Sequence, residues 1–173
     1  MKEYLAVVDE KDKIIGKADW DEVRGKNLIH RGTGVLVYNS KKELFIHKRA
    51  KTIRRHPLHY ALFVGGGVTV HESYDENAIR ELEEEIGATN VKLHFLFKKF
   101  IVMPDSRFFV SIYSCIYDGE LNLQPSEVES GFFICHSKLN NFIKTEKFTP
   151  SNLINYEEYL KNHFHHDPAI KNI

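Results

Sequence analysis

The 173-residue chain has no excess charge of either sign, since 24 Lys and Arg stand against 24 Asp and Glu. That balance argues against a general nucleic-acid binder, whose affinity rests on clustered basic residues neutralising phosphates. No apolar run approaches the roughly 18 residues that a membrane-spanning helix needs, and Met1-Lys2-Glu3 leads into no apolar secretory segment. The chain therefore reads as cytoplasmic, with no membrane partner. Only two cysteines occur, Cys115 and Cys135. Both lie in apolar, strand-like stretches and form no close-pair motif, so buried free thiols are expected rather than a disulfide or a metal site. Repeats, low-complexity tracts and linker-like stretches are also lacking. A single domain over residues 1–173 is expected, with an N-terminal hairpin and short helix at about 1–25 and a core at about 28–165.

What the sequence does have is a glycine turn followed by an acidic helix. Ser73 sits at an N-cap position, Glu76 follows three residues later as in a capping box, and Gly87 closes the far end. The helix is expected from about Tyr74 to Ile86. At about 100° per residue Ile79, Leu82 and Ile86 share one face for packing, while Glu81, Glu84 and Glu85 gather roughly 140° away. Glu81 with Glu84 and Glu81 with Glu85 are like-charge neighbours, each costing a few tenths of a kcal/mol in an isolated helix. A cation is needed to offset them, and clustered carboxylates are the ligand set that Mg²⁺, or alternatively Mn²⁺, prefers. Arg80 is the local cation, with Glu76 and Glu84 at helical reach on either side.

Around this helix the pattern is mixed. Tyr4 to Val8 and Lys13 to Lys17 read as strands, Asp19 to Gly25 as a short helix, and Thr33 to Tyr38 with Glu43 to Lys48 as a strand pair. Tyr60 to Val64 is expected to deliver the glycine turn as a further strand. Val91 to Val102 and Phe108 to Tyr117 flank the Pro104-Asp105-Ser106 turn, and Phe132 to Cys135 reads as a last strand. Two helices follow, one at about Ser137 to Ile143 and one capped by Thr149 with Pro150 first, where Leu153, Tyr156 and Leu160 recur at helical spacing.

Gly66, Glu72, Arg80, Glu81, Leu82, Glu84, Glu85 and Gly87, with Ala88 as a small final member, together resemble the Nudix box. The resemblance implies an α/β fold, an α/β/α sandwich with a mixed β-sheet. It also implies Mg²⁺-dependent hydrolysis of a nucleoside diphosphate linked to another moiety, or of a related organic diphosphate, as the small-molecule substrate. Carried over by position, Glu81, Glu84 and Glu85 look like metal-binding and water-activating carboxylates, with the Gly65 backbone carbonyl as a further metal ligand. Arg80 and Glu72 look like orienting residues, and Gly66 and Gly67 border the substrate. A further Glu is supplied in many relatives from the region of Pro125-Ser126-Glu127-Val128-Glu129, where Glu127 and Glu129 are equal candidates. Many relatives are homodimers. Of the basic run Lys48, Arg49, Arg54, Arg55 and His56, Arg49 is the candidate phosphate ligand, because it ends a strand that borders the cleft in relatives.

Val8-Asp9-Glu10, Ile15-Gly16-Lys17-Ala18 and Leu28-Ile29-His30-Arg31 are similar to isopentenyl diphosphate isomerases and their hydrolase-like bacterial relatives. Those isomerases need a cysteine beside a metal-binding histidine before the box, where this chain has Val64-Gly65-Gly66-Gly67. Without a proton-transferring thiol, hydrolysis is favoured over isomerisation. A domain that only binds a diphosphate is the other alternative, disfavoured by the intact carboxylates. His30, lacking a partner histidine, is expected in a structural role, and His163, His165, His166 and Asp167 as part of a mobile tail.

Overall fold

The computed structural model describes residues 3–171, so Met1 and Lys2, part of the start read above for secretory character, lie outside the described residues. Strand β1 (Leu5–Val8) and strand β2 (Ile14–Ala18) form the expected hairpin, and helix α1 (Trp20–Gly25) begins where Asp19 Oδ1 accepts the Glu22 N–H at 2.9 Å. The chain continues through β3 (Ile29–Tyr38), β4 (Leu44–Arg49), β5 (Tyr60–Ala61), α2 (Tyr74–Ile86), β6 (His94–Met103), β7 (Ser106–Ile116) and β8 (Val128–Ile134). Helices α3 (His136–Thr145) and α4 (Pro150–Asn162) follow.

The eight strands form one mixed sheet. Strands β3 and β7 run parallel from Ile29 opposite Arg107 to Tyr38 opposite Ile116, and the other strand pairs are antiparallel. Alternation along β3 decides the layers. Val35 and Val37 pack with Ala78, Leu82 and Ile86 of α2, whereas Leu36 and Tyr38 pack on the opposite face with Leu139 of α3 and Tyr156 and Tyr159 of α4. Helices thus cover both sheet faces, the α/β/α sandwich expected, and each large side chain so buried is worth about 1.5–3 kcal/mol of transfer free energy.

Several local expectations need correction. Ile79 is 45% exposed, and Ala78 takes its place beside Leu82 and Ile86. The helix lies close against β3, and the small Ala78 permits that approach. The strand from Tyr60 to Val64 is only two residues long as a partner of β4; Val64 then pairs with Val35 and Gly67 with Gly32, so the chain crosses from β4 to β3. Thr149 is the N-cap of α4, but its buried hydroxyl makes no capping bond, and Leu160 faces outward while Tyr159 is buried. Cys115 is buried as expected, but Cys135 is only half-buried, at the start of α3, with Sγ 3.2 Å from Ser137 Oγ. The described residues after α4 are docked, in place of the mobile tail expected for His163, His165, His166 and Asp167. Asp167 is fully buried and accepts from Ser114 Oγ (2.5 Å), Tyr159 Oη (2.8 Å) and the Ala169 N–H (2.9 Å), which brings Ala169 and Ile170 into the core.

Candidate active site

The glycine turn is pinned on two sides. The Thr33 N–H donates to the Gly66 carbonyl at 2.9 Å, and the Ala6 N–H donates to the Val68 carbonyl at 2.9 Å, tying the turn to β3 and β1. Gly65 has φ +152°, a conformation that L side chains rarely adopt, and its N–H hydrogen-bonds Glu85. A Cβ on Gly66 would lie 2.6 Å from Glu81 Oε1, so the absence of a side chain there is what lets the carboxylate stand against the turn.

Helix α2 presents two adjacent buried stripes. One is apolar, Ala78, Leu82 and Ile86; the other is polar, Asn77, Glu81 and Glu85, at i, i+4 and i+8. Asn77 was missed by the sequence reading. Its Nδ2 donates to the Gly67 carbonyl (2.9 Å) and Glu72 Oε1 (3.0 Å), and its Oδ1 accepts from the Thr33 hydroxyl, so it locks helix, turn and β3 together. Its place four residues before Glu81 was the available signal.

Arg80 does not pair with Glu76, which is occupied in the capping box with Ser73. It forms a two-pronged contact with Glu72 instead, Nε to Oε2 and Nη2 to Oε1, both at 3.0 Å. Nη1 reaches Glu84 Oε2 at 2.7 Å and Nη2 reaches Glu81 Oε1 at 3.0 Å. The guanidinium therefore orients three carboxylates and is held firmly protonated by them. Burial alone would raise the Glu72 carboxyl, but the Arg80, Thr69 and Asn77 hydrogen bonds outweigh it and hold it at about 2.

Glu127 closes the site from outside the helix. The Gln124 N–H donates to the Glu85 carbonyl at 2.9 Å and the Ala50 N–H to the Glu127 carbonyl at 2.8 Å, so the segment before β8 is moored to α2 and to the end of β4. Oxygens of Glu81, Glu85 and Glu127 then lie within 4.8 Å of one another. Glu129 is exposed on β8. Glu84 lines the same cavity with half of its side chain exposed, outside that tight cluster.

The electrostatics of the cluster are those of a cation site. Burial raises Glu81 to about 7, with Arg80 pulling down and Glu127 pushing up. Burial drives Glu85 well above the ordinary carboxylate range, and Glu81 and Glu127 add to the rise. Three convergent oxygen donors that repel one another fit a hard divalent cation. Two neighbours were again unforeseen: buried His47, whose Nε2 is 3.8 Å from Glu85 Oε2, and Arg24, on the wall of the cavity that also holds the cluster. Burial, followed by the positive charge of Arg49, lowers His47 to about 3 and keeps it neutral. Arg49 itself is lowered by burial and drawn to Glu85 and Glu127. Sequence pattern had no means of marking His47, which reads as one more residue of a β-strand.

Glu81, Glu84, Glu85, Glu127, Arg80 and Arg49 open on one cavity of about 470 Å³, a size suited to a small organic molecule, with His47 and Asn77 behind its wall. Its wall runs from Glu81, Glu84, Glu85 and Glu127 past Gly65, Gly66 and Gly67 to Arg49, and on to apolar Phe63, Phe108 and Ile112. His30 lies buried on this wall between Trp20 and Phe108, with ring centroids 5.4 and 5.5 Å away, and burial lowers it to about 4.

A sequence model of the NUDIX domain matches residues 28–154. An uncharacterised Nudix hydrolase of Pseudomonas aeruginosa is 36% identical over 132 residues, 76% of this chain and 78% of its own length. An uncharacterised Nudix hydrolase of Streptomyces coelicolor is 33% identical over 156 residues, 89% of this chain and 86% of its own. Among solved structures, a Deinococcus radiodurans protein superposes with a TM-score of 0.76 at 21% identity, covering 90% of this chain and 98% of that one. The NUDIX domain of Shewanella oneidensis NrtR, solved with ADP-ribose, superposes with a TM-score of 0.59 at 11% identity, covering 76% and 85%.

Proposed function

This chain belongs to the Nudix family and is a hydrolase by that membership, and on that premise we propose that it cleaves the phosphoric anhydride linkage of a nucleoside diphosphate derivative or related organic diphosphate, using Mg²⁺. The observation that carries the reading is the convergence of Glu81, Glu85 and Glu127 within 4.8 Å inside a cavity that also holds Arg49. The ADP-ribose held by the Shewanella domain supports the same substrate class.

Members of this family use divalent cations, and the three clustered carboxylates would hold one here, with Glu84 and the Gly65 carbonyl beside them. When bound, such a cation neutralises phosphate charge and lowers the pKa of water. The chain's own part is then positional. Arg80 fixes the directions of Glu81 and Glu84. Glu127, the one clustered carboxylate that is not on α2, receives the proton that the attacking water loses as it adds to phosphorus. The Arg49 guanidinium meets the charge that grows on the departing phosphate as the anhydride bond breaks. Apolar Phe63, Phe108 and Ile112 exclude water from the organic end of the substrate. Carbocation chemistry finds no support, because neither Cys115 nor Cys135 lines the cavity.

The test is release of phosphate or pyrophosphate across nucleoside triphosphates, dinucleotides, nucleotide sugars, coenzyme A and isoprenoid diphosphates, with and without Mg²⁺. Glu85→Gln serves as the blank. Turnover should require the metal and fall in the variant by about 10³-fold or more. Undiminished turnover in Glu85→Gln would sink the carboxylate assignment, and saturable diphosphate binding without any turnover would favour a binding domain.

A further inference from the structure

Four arginines crowd one end of the cavity, and only two of them have their own counter-ion. Arg54 pairs with Asp21 and Arg55 with Asp105. Arg24 and Arg49 have no carboxylate within 4.0 Å among the described residues, and the Nε of each is buried with no hydrogen-bond partner. Both line the cavity, as does Arg55. Arg49 also packs against the loop that follows β4, its Nη2 donating to the Arg55 carbonyl at 3.3 Å.

The two unpaired guanidiniums occupy different stations. Arg49 feels Glu85 and Glu127, so it stands beside the carboxylate cluster. Arg24, on α1, is lowered by burial and then by repulsion from Arg55 and Arg54, with Asp21 partly offsetting them and Arg49 a smaller contributor. Its guanidinium carbon lies over the Trp20 ring, 4.7 Å from the centroid. Stacking of this kind holds the guanidinium plane while leaving its N–H edge free to fork onto a tetrahedral oxyanion. Positive charge with no direct ion-pair partner in a half-buried wall is unfavourable until an anion arrives, and the acidic end of the same cavity already has a use for the scissile diphosphate.

We infer that Arg24, with Arg49 and Arg55 beside it, forms a second anion subsite that takes a phosphoryl group lying beyond the scissile linkage. The substrate class is thereby narrowed to molecules with at least three phosphoryl groups in reach, such as a nucleoside triphosphate or a dinucleotide bridged by a longer polyphosphate, over a diphosphate joined to a neutral sugar. This rests on the hydrolase reading for the scissile end.

The experiment is calorimetric binding of inorganic tripolyphosphate and of pyrophosphate to the full chain at saturating Mg²⁺, repeated with Arg24→Gln and Arg24→Lys. The unaltered protein should prefer tripolyphosphate by about tenfold, the scale of one charge-assisted contact. Arg24→Gln should erase that preference to within about twofold while pyrophosphate affinity stays within about threefold, and Arg24→Lys should keep part of the preference. Absence of the preference in the unaltered protein, or its full survival in Arg24→Gln, overturns the inference. Should Arg24→Gln fail to fold, Arg24→Lys decides: a reduced preference supports the subsite and an unchanged one overturns it. The two readings fail separately, since turnover without the preference removes only the subsite, and the preference without any turnover removes only the hydrolase.

Discussion

Glu81 stands so close to the Gly66 backbone that one added methyl group would have to move it, because the new Cβ would sit 2.6 Å from Oε1. The buried helix cannot retreat, with Leu82 and Ile86 fully packed on the next stripe, so the carboxylate must swing away from Glu85 and Glu127. Gly66→Ala is therefore expected to lower kcat by about 10²-fold, the loss associated with misplacing a reacting group by about 1 Å. Circular dichroism should show an intact fold, and near-normal turnover would mean that Glu81 does not need its observed position. At this scale the sequence was informative where chemistry repeats with helical period. Glu81, Glu84 and Glu85 could be picked out together because helical spacing puts them on one face, and Gly66 through the resemblance of the box, but spacing could not show that Glu84 stays outside the tight cluster. The choice between Glu127 and Glu129 could not be made, since it depends on how a distant segment docks through Gln124 and Ala50. Arg24 and His47 were invisible for the same reason. Each becomes part of the site only through strand pairing and helix placement.

Helix α2 is the element that sequence rules describe best, because its ends are set by local hydrogen bonds. The Ser73 N–H donates to Glu76 Oε2 at 2.8 Å and the Glu76 N–H donates to Ser73 Oγ at 3.2 Å, while Gly87 at φ +72° closes the helix in the left-handed region. Ser73→Ala removes one half of this exchange and should destabilise the protein by about 1 kcal/mol, a fall in Tm of roughly 2–4 °C for a chain of this size. Differential scanning calorimetry measures it. The acidic stripe begins one turn later and is held by Asn77 and Arg80, so kcat should stay within about twofold, and a large loss of activity would show that the cap positions the carboxylates. Which face of α2 packs was harder to read. A stripe of large apolar residues favoured Ile79, but the helix sits near enough to β3 that the small Ala78 fits and Ile79 turns outward. Similarly, Thr149 has the sequence position of a cap without making its bond.

At the scale of the molecule, the order of strands and helices suited a layered architecture, but the α/β/α sandwich itself came from the resemblance of the box rather than from the pattern. Long-range register did not follow from pattern. Nothing in the order of elements specified that β3 pairs in parallel with β7, or that the chain leaves β4 after Tyr60–Ala61 to run beside β3 and set the glycine turn at the mouth of the cavity. His30 lies where these long-range choices meet, on β3, with Trp20 of α1 on one side, Phe108 of β7 on the other, and Arg24 and Arg55 contributing positive charge. Burial, aided by those cations and opposed by the Leu28 carbonyl, lowers it from 6.5 to about 4. Between those values the unfolded chain binds a proton that the folded protein refuses, so stability from this group is complete above pH 6.5 and is lost as pH falls toward 4. The loss is on the order of 3 kcal/mol, from 1.36 kcal/mol for each pKa unit. His30→Gln lacks the titration, so the stability difference between it and the unaltered protein, from urea unfolding at a series of pH values, should be constant above pH 6.5. It should then shift by that amount in favour of the variant on acidification. A difference that stays constant down to pH 4 would mean that the histidine can take its proton without disturbing the packing of α1, β3 and β7.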